Sequence, residues 1–153
     1  MTKILFVCHG NICRSTMAQF VFDYLVRQQG RGAEFHLDSA ATSTEELGNP
    51  VHPGTRRKLA QVGIPCPDHR ARQLRKDEYG KFDLLIGMDQ ANLRNMHRML
   101  GGDPEGKFHC LLDYAGRPGQ NIADPWYTGN FDETYVDVLA GCQGLLAHLT
   151  KEI

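Results

Sequence analysis

Apolar residues fall along the chain in two patterns, short unbroken runs and stripes spaced by three and four. Ile4-Leu5-Phe6-Val7 is rich in β-formers and predicts a central parallel strand covered on both faces. Phe82 to Met88 and Phe108 to Leu112 predict two more strands, and Phe35 to Ala40, which alternates, predicts one nearer the edge. Between them the spacing turns helical. Met17, Phe20, Val21, Tyr24 and Leu25 make one stripe, and Leu59 and Val62 lie in a helix opened by Pro53-Gly54-Thr55 and closed by Gly63. Leu93, Met96 and Leu100 follow Asp89 as cap, and Tyr135 to Leu149 follow Asn130, with Glu133 three residues on. Thr42 to Pro53 is a long polar connection, residues 69–81 read as loop with a short helix, and Gly116 to Thr128 is a turn-rich loop.

Four strands alternating with helices require right-handed crossovers. The expected fold is therefore α/β, a single domain over residues 1–153 with a four-stranded parallel doubly wound sheet flanked by helices. Such sheets bind ligands beyond the carboxyl ends of their strands. Cys8, Ser39 and Asp89 follow three predicted strand ends, and Asp124 lies in the loop after the fourth, so all four fall on one edge.

Composition removes several function classes. A chain of 153 residues can bury about two-thirds of its unfolded surface and needs no metal or disulfide to hold it together. With 17 basic and 18 acidic side chains the net charge is −1, which gives no support to nucleic-acid or polybasic membrane binding. Five cysteines without regular spacing, and no signal peptide or long apolar span, predict a cytoplasmic protein. The seven histidines are scattered and no cysteine double pair exists, so no metal or other cofactor is expected. Composition leaves a monomer or weak dimer open.

The chemistry gathers in Cys8-His9-Gly10-Asn11-Ile12-Cys13-Arg14-Ser15, which joins the first strand to the first helix. A helix N-terminus offers unpaired N–H groups and the positive end of the macrodipole, an anion site. A loop of this length could curl around a tetrahedral oxyanion with Arg14 gripping two oxygens and Cys8 beneath the central atom. The same donors would favour a thiolate, with Ser15 adding a hydrogen bond. Asn11 suits the left-handed backbone a tight anion loop needs. The bland alternative is a buried cysteine followed by an ordinary loop. If the thiolate attacks a phosphoester, the departing oxygen needs a proton. Asp124, before Pro125 in a glycine-bounded loop, is the candidate acid, and a plain Asp-Pro turn is its alternative.

The octapeptide Cys8 to Ser15 resembles the phosphate-binding signature of the low-molecular-weight protein tyrosine phosphatases. Asp38 to Thr42, His69 to Gln73, Met88 to Asn92 and Asp124 to Tyr127 match in order, so the resemblance runs from Lys3 to about Leu149. It implies a phosphatase acting on phosphotyrosine proteins through a cysteinyl-phosphate, with Cys8 as nucleophile, Arg14 as phosphate clamp and Asp124 as general acid and base. It implies that Asn11 and Ser39 support the loop by bonding each other, with His69 and Asp89 in supporting positions; a satisfied histidine and a plain helix cap are the competing readings of those two. It also implies that Cys13 can form a reversible disulfide with Cys8; a small buried apolar residue is the competing reading of Cys13. His9, Gly10, Asn11, Ile12, Cys13 and Ser15 would surround the substrate, with Glu45, Trp126 and Tyr127 as walls. Cys66, Cys110 and Cys142 read as structural.

Three departures bear on substrate choice. His9 stands where members often carry an apolar residue, Glu45 where many have an aromatic ring, and Trp126 replaces the first of two tyrosines, leaving Tyr127. Phosphoarginine phosphatases carry threonine at the position of Ile12, and arsenate reductases of this fold need two further close cysteines. A phosphate-binding module without turnover is the non-enzymatic alternative.

Overall fold

The computed structural model describes residues 1–150. Strands β1 (Thr2–Cys8), β2 (Phe35–Ala41), β3 (Leu84–Gly87) and β4 (Phe108–Cys110) form one parallel sheet in the order β2-β1-β3-β4. Helices α1 (Arg14–Gln28), α2 (Pro53–Gln61), α3 (Gln90–Leu100), α4 (Pro125–Thr128) and α5 (Phe131–Thr150) complete it. β2 is at the edge, as its alternation predicts, and β1 is central.

The alternating side chains of β1 divide the core. Ile4, Phe6 and Cys8 point to the face packed by residues of α1 and α5, while Leu5 and Val7 join Leu85, Met96, Leu100 and Phe108 on the other. Ile4, Leu5, Phe6 and Val7 are all fully buried. Each such side chain contributes roughly 1.5–3 kcal/mol relative to exposure, so β1 is held from both sides. The loop that follows it starts from a rigid platform.

Two expectations need correction. The fourth strand ends at Cys110, and Leu111 and Leu112 belong instead to a 3-10 turn, Leu111–Ala115. Both leucines are fully buried, and α5 carries glycine where it meets this turn. A Cβ on Gly144 would lie 1.9 Å from the Tyr114 carbonyl oxygen, and one on Gly141 would lie 2.5 Å from Leu111. The apolar run thus packs onto a helix rather than extending the ladder. The third strand is likewise shorter than the run 82–88 suggests, because Phe82 lies outside the ladder and packs with the second core cluster.

The long connection after β2 is tied down. Thr42 N and Ser43 N donate to the carbonyls of Cys8 and His9, and the stretch around Arg70–Gln73 bridges to Pro50 and Ala41. Among the described residues no helix is long and apolar enough to cross a membrane.

Candidate active site

Cys8 ends β1 and Arg14 starts α1, so five residues turn the chain between them. Asn11 takes φ 59°, the single left-handed non-glycine among the described residues. Its backbone N–H donates to Cys8 Sγ at 3.3 Å. Asn11 is fully buried, and its Nδ2 donates to Ser15 Oγ at 2.8 Å. That occupies a lone pair of the hydroxyl, whose own proton can then turn to Cys8 Sγ, 3.1 Å away, when the sulfur is a thiolate.

The expected Asn11–Ser39 bond is replaced by a bridge through His69. His69 Nε2 lies 2.9 Å from Asn11 Oδ1 and 3.3 Å from Ser39 Oγ, and Ser39 donates to Gln19 Oε1 at 2.6 Å. An imidazole fits between two short side chains that do not themselves meet. Since Asn11 Oδ1 only accepts, the proton of His69 sits on Nε2. Burial holds the His69 pKa below its ordinary value, against the pull of Asp38.

Arg14 is 2 % exposed and lies behind the pocket wall. Its Nη1 donates to Asp89 Oδ2 at 2.6 Å and to the Ile122 carbonyl at 3.0 Å, and Nη2 reaches Asp124 Oδ2 at 3.4 Å. Burial opposes its charge, but Cys8, Asp89 and Asp124 outweigh burial and raise its pKa above the ordinary arginine value. Asp89 does two jobs with two oxygens: Oδ1 accepts from Asn92 N at 2.7 Å to cap α3, and Oδ2 anchors Arg14.

Asp124 caps the short α4, its Oδ1 accepting from Trp126 N at 3.1 Å. The sequence pattern does not predict this helix, because four residues are too few to show a period. It places Asp124 on the pocket that Cys8 also lines. Cys8, Asp124, His9, Gly10, Ile12, Cys13, Glu45, Glu46, Trp126 and Tyr127 line one pocket of about 180 Å³. Asn11, Ser15 and Arg14 do not line it; the side chains of Asn11 and Ser15 serve the sulfur and the loop instead.

At the rim, His9 Nε2 pairs with Glu45 Oε2 and Asn49 Nδ2 donates to Glu46 Oε2 at 2.6 Å. His9 and Glu45 therefore act as a pair rather than as two separate charges. Trp126 and Tyr127 are 55 % and 80 % exposed. Burial pushes the Cys13 thiol pKa up, with Cys8 and Asp124 adding to it, so Cys13 is a neutral thiol beside Cys8. Its carbonyl accepts from Thr16 Oγ1 and Thr55 Oγ1, which pins the loop to α1 and α2. Sequence reasoning missed Glu46, the Ile122 carbonyl and Thr55. Glu46 stood beside Glu45 in the same loop and could have been found from that; a backbone carbonyl leaves no mark in the sequence.

A parallel sheet carrying a cysteine and an anion-shaped loop at its carboxyl edge, with a carboxylate on the same pocket, defines a phosphatase. A sequence profile described as low molecular weight phosphotyrosine protein phosphatase matches residues 3–153. The chain is 38 % identical to the low molecular weight protein-tyrosine-phosphatase YfkJ of Bacillus subtilis, over 99 % of this chain and 98 % of that one. The crystal structure of YfkJ superposes with a TM-score of 0.94, covering 99 % and 96 % of the two chains. The human low molecular weight phosphotyrosine protein phosphatase is 36 % identical over 94 % and 93 %. The chain belongs to the low molecular weight phosphotyrosine protein phosphatase family.

Proposed function

We propose that residues 1–153 form one phosphatase domain that hydrolyses phosphotyrosine in cytoplasmic proteins, with Cys8 as nucleophile, Arg14 as phosphate clamp and Asp124 as general acid and base. The observation that carries this reading is that Cys8 and Asp124, far apart in sequence, line one pocket whose other wall is the apolar side chain of Ile12. The phosphate sits in the loop N–H groups, and its oxygens compete with Asp124 for Nη2 of Arg14, whose Nη1 stays fixed by Asp89.

In the first step Cys8 Sγ forms a bond to phosphorus, the bond from phosphorus to the tyrosyl oxygen breaks, and Asp124 gives that oxygen a proton. In the second the Asp124 carboxylate takes a proton from water, the water oxygen bonds to phosphorus, and the S–P bond breaks with its electron pair returning to sulfur. Inorganic phosphate leaves. No step calls for a metal ion.

Ile12, with its bulk and lack of a hydroxyl, favours a flat aryl ester over phosphoarginine. Cys66, Cys110 and Cys142 lie outside the pocket, which argues against a cysteine relay there. The test is hydrolysis of matched phosphotyrosine, phosphoserine and phosphoarginine peptides in chelator. Phosphotyrosine is expected to be the best substrate; a preference for phosphoarginine, or no turnover with tight phosphate binding, would replace this reading with one of the alternatives.

Cys13 serves as the partner that captures oxidised Cys8 as a disulfide. Mild peroxide should yield a linked Cys8–Cys13 peptide by mass spectrometry, and Cys13→Ser should regain activity poorly with added thiol. Equal recovery would leave Cys13 as packing.

A further inference from the structure

Glu78 lies on the 3-10 turn Lys76–Gly80, outside the pocket, with 1 % of its surface exposed. Burying a carboxylate is costly, and a buried ion pair is poor evidence of stability by itself. What it holds is therefore informative. Both oxygens are taken by one guanidinium: Arg72 Nη1 donates to Oε1 at 2.9 Å and Nη2 to Oε2 at 2.8 Å. Arg72 Nη2 also donates to Asp38 Oδ2 on β2 at 2.9 Å. Two parallel bonds fix a guanidinium plane where one bond would let it swing.

The backbone of Arg72 carries that order inward. Its carbonyl accepts from Ala41 N at 2.7 Å, and its N–H donates to Asn11 Oδ1 at 3.2 Å, on the same oxygen that His69 holds. With its oxygen engaged twice, the Asn11 amide is fixed with Nδ2 toward Ser15 Oγ, so that once the sulfur, 3.1 Å away, is a thiolate, the Ser15 proton is free to turn to it. A continuous chain of bonds thus runs from Glu78 through Arg72, Asn11 and Ser15 to the sulfur.

We propose that Glu78 and Arg72 are positioning residues for the second half of the reaction. The proposal rests on Cys8 being the nucleophile. A donor on sulfur lowers the energy of the thiolate, so it does nothing to hasten attack on phosphorus but eases the departure of sulfur from it. Loosening the chain slows hydrolysis of the cysteinyl-phosphate and leaves its formation nearly intact.

The test is stopped-flow turnover of p-nitrophenyl phosphate by Glu78→Gln and Arg72→Lys; the lysine keeps the charge and loses the fork. In each, kcat and KM should fall together by about tenfold with kcat/KM within about twofold of wild type. The p-nitrophenol burst should rise toward one per enzyme, and inorganic phosphate should inhibit as before. A merely structural defect would lower kcat/KM and leave the burst unchanged; that result, or unchanged kcat in folded variants, overturns the proposal. If Glu78→Gln does not fold, Arg72→Lys and Asp38→Asn carry the same test. A wild-type enzyme that forms no cysteinyl-phosphate would overturn instead the assignment of Cys8, so the two failures read differently.

Discussion

The rear of the phosphate loop and its mouth are built by opposite rules. At the rear, Asn11, Ser15 and Ser39 are fully buried, and each finds side-chain partners that are themselves held. At the mouth, Trp126 and Tyr127 stand largely in solvent, and the His9–Glu45 pair has side chains 46 % and 67 % exposed. An exposed pair of this kind contributes roughly 0–1 kcal/mol and is screened by salt, whereas leaving a buried polar group without its partner costs about 1–3 kcal/mol. The side chains at the rear hold one another through hydrogen bonds, whereas those at the mouth can be exchanged without unpicking that network.

The sharpest way to break this contrast is at Asp124, which lines the pocket yet reaches back to Arg14. Asp124→Ala should cost on the order of 10²–10⁴ on phosphotyrosine, whose basic phenolate needs the proton, and far less on an activated fluorinated aryl phosphate. Steady-state kinetics on the two substrates decide it. Equal losses would move the acid role elsewhere.

Changes at the mouth should be smaller and selective. Ile12→Thr should raise phosphoarginine relative to phosphotyrosine, and Glu45→Tyr should improve peptides with acidic residues beside the phosphotyrosine. Each shift is worth about 1–3 kcal/mol at most. Because Glu45 already pairs with His9, replacing it also frees the imidazole at the rim. Ratios of kcat/KM for paired acidic and basic peptides report both. Unchanged ratios would place selectivity at Trp126 or Glu46.

The smallest effect is on stability against pH. Burial depresses the His69 pKa in the folded chain, so below about pH 6.5, the ordinary histidine value, the unfolded state binds more protons. The resulting stability is present above that pH and lost as pH falls through it. Thermal unfolding from pH 7 to 5 should show a drop that is reduced in His69→Gln. An equal drop would assign it to other groups, such as His52, also lowered by burial.

Most of the sheet was legible because three strands are apolar runs, the second alternates and the long helices are stripes, and strands that alternate with helices require right-handed parallel crossovers. Legibility failed where burial came from a neighbour, as with Leu111 and Tyr114 against the glycines of α5. In the site, Cys8, Arg14 and Asp124 could be named because their residue types and spacing carry chemistry. Glu78 could not, since it sits in the charged run Arg75 to Glu78 and reads as solvated surface until the fold buries it. Arg72 was visible within a matching motif, but its task depends on an amide bond that no side-chain pattern records.

The central claim, that Cys8 carries the phosphoryl group between tyrosine and water, is tested most directly by quenching Asp124→Ala during turnover of a phosphotyrosine peptide and locating the phosphate by mass spectrometry. The account predicts phosphate on the Cys8 sulfur, absent in the Cys8→Ser, Asp124→Ala double variant. Phosphate on another residue, or steady product release with Cys8 replaced, would contradict it.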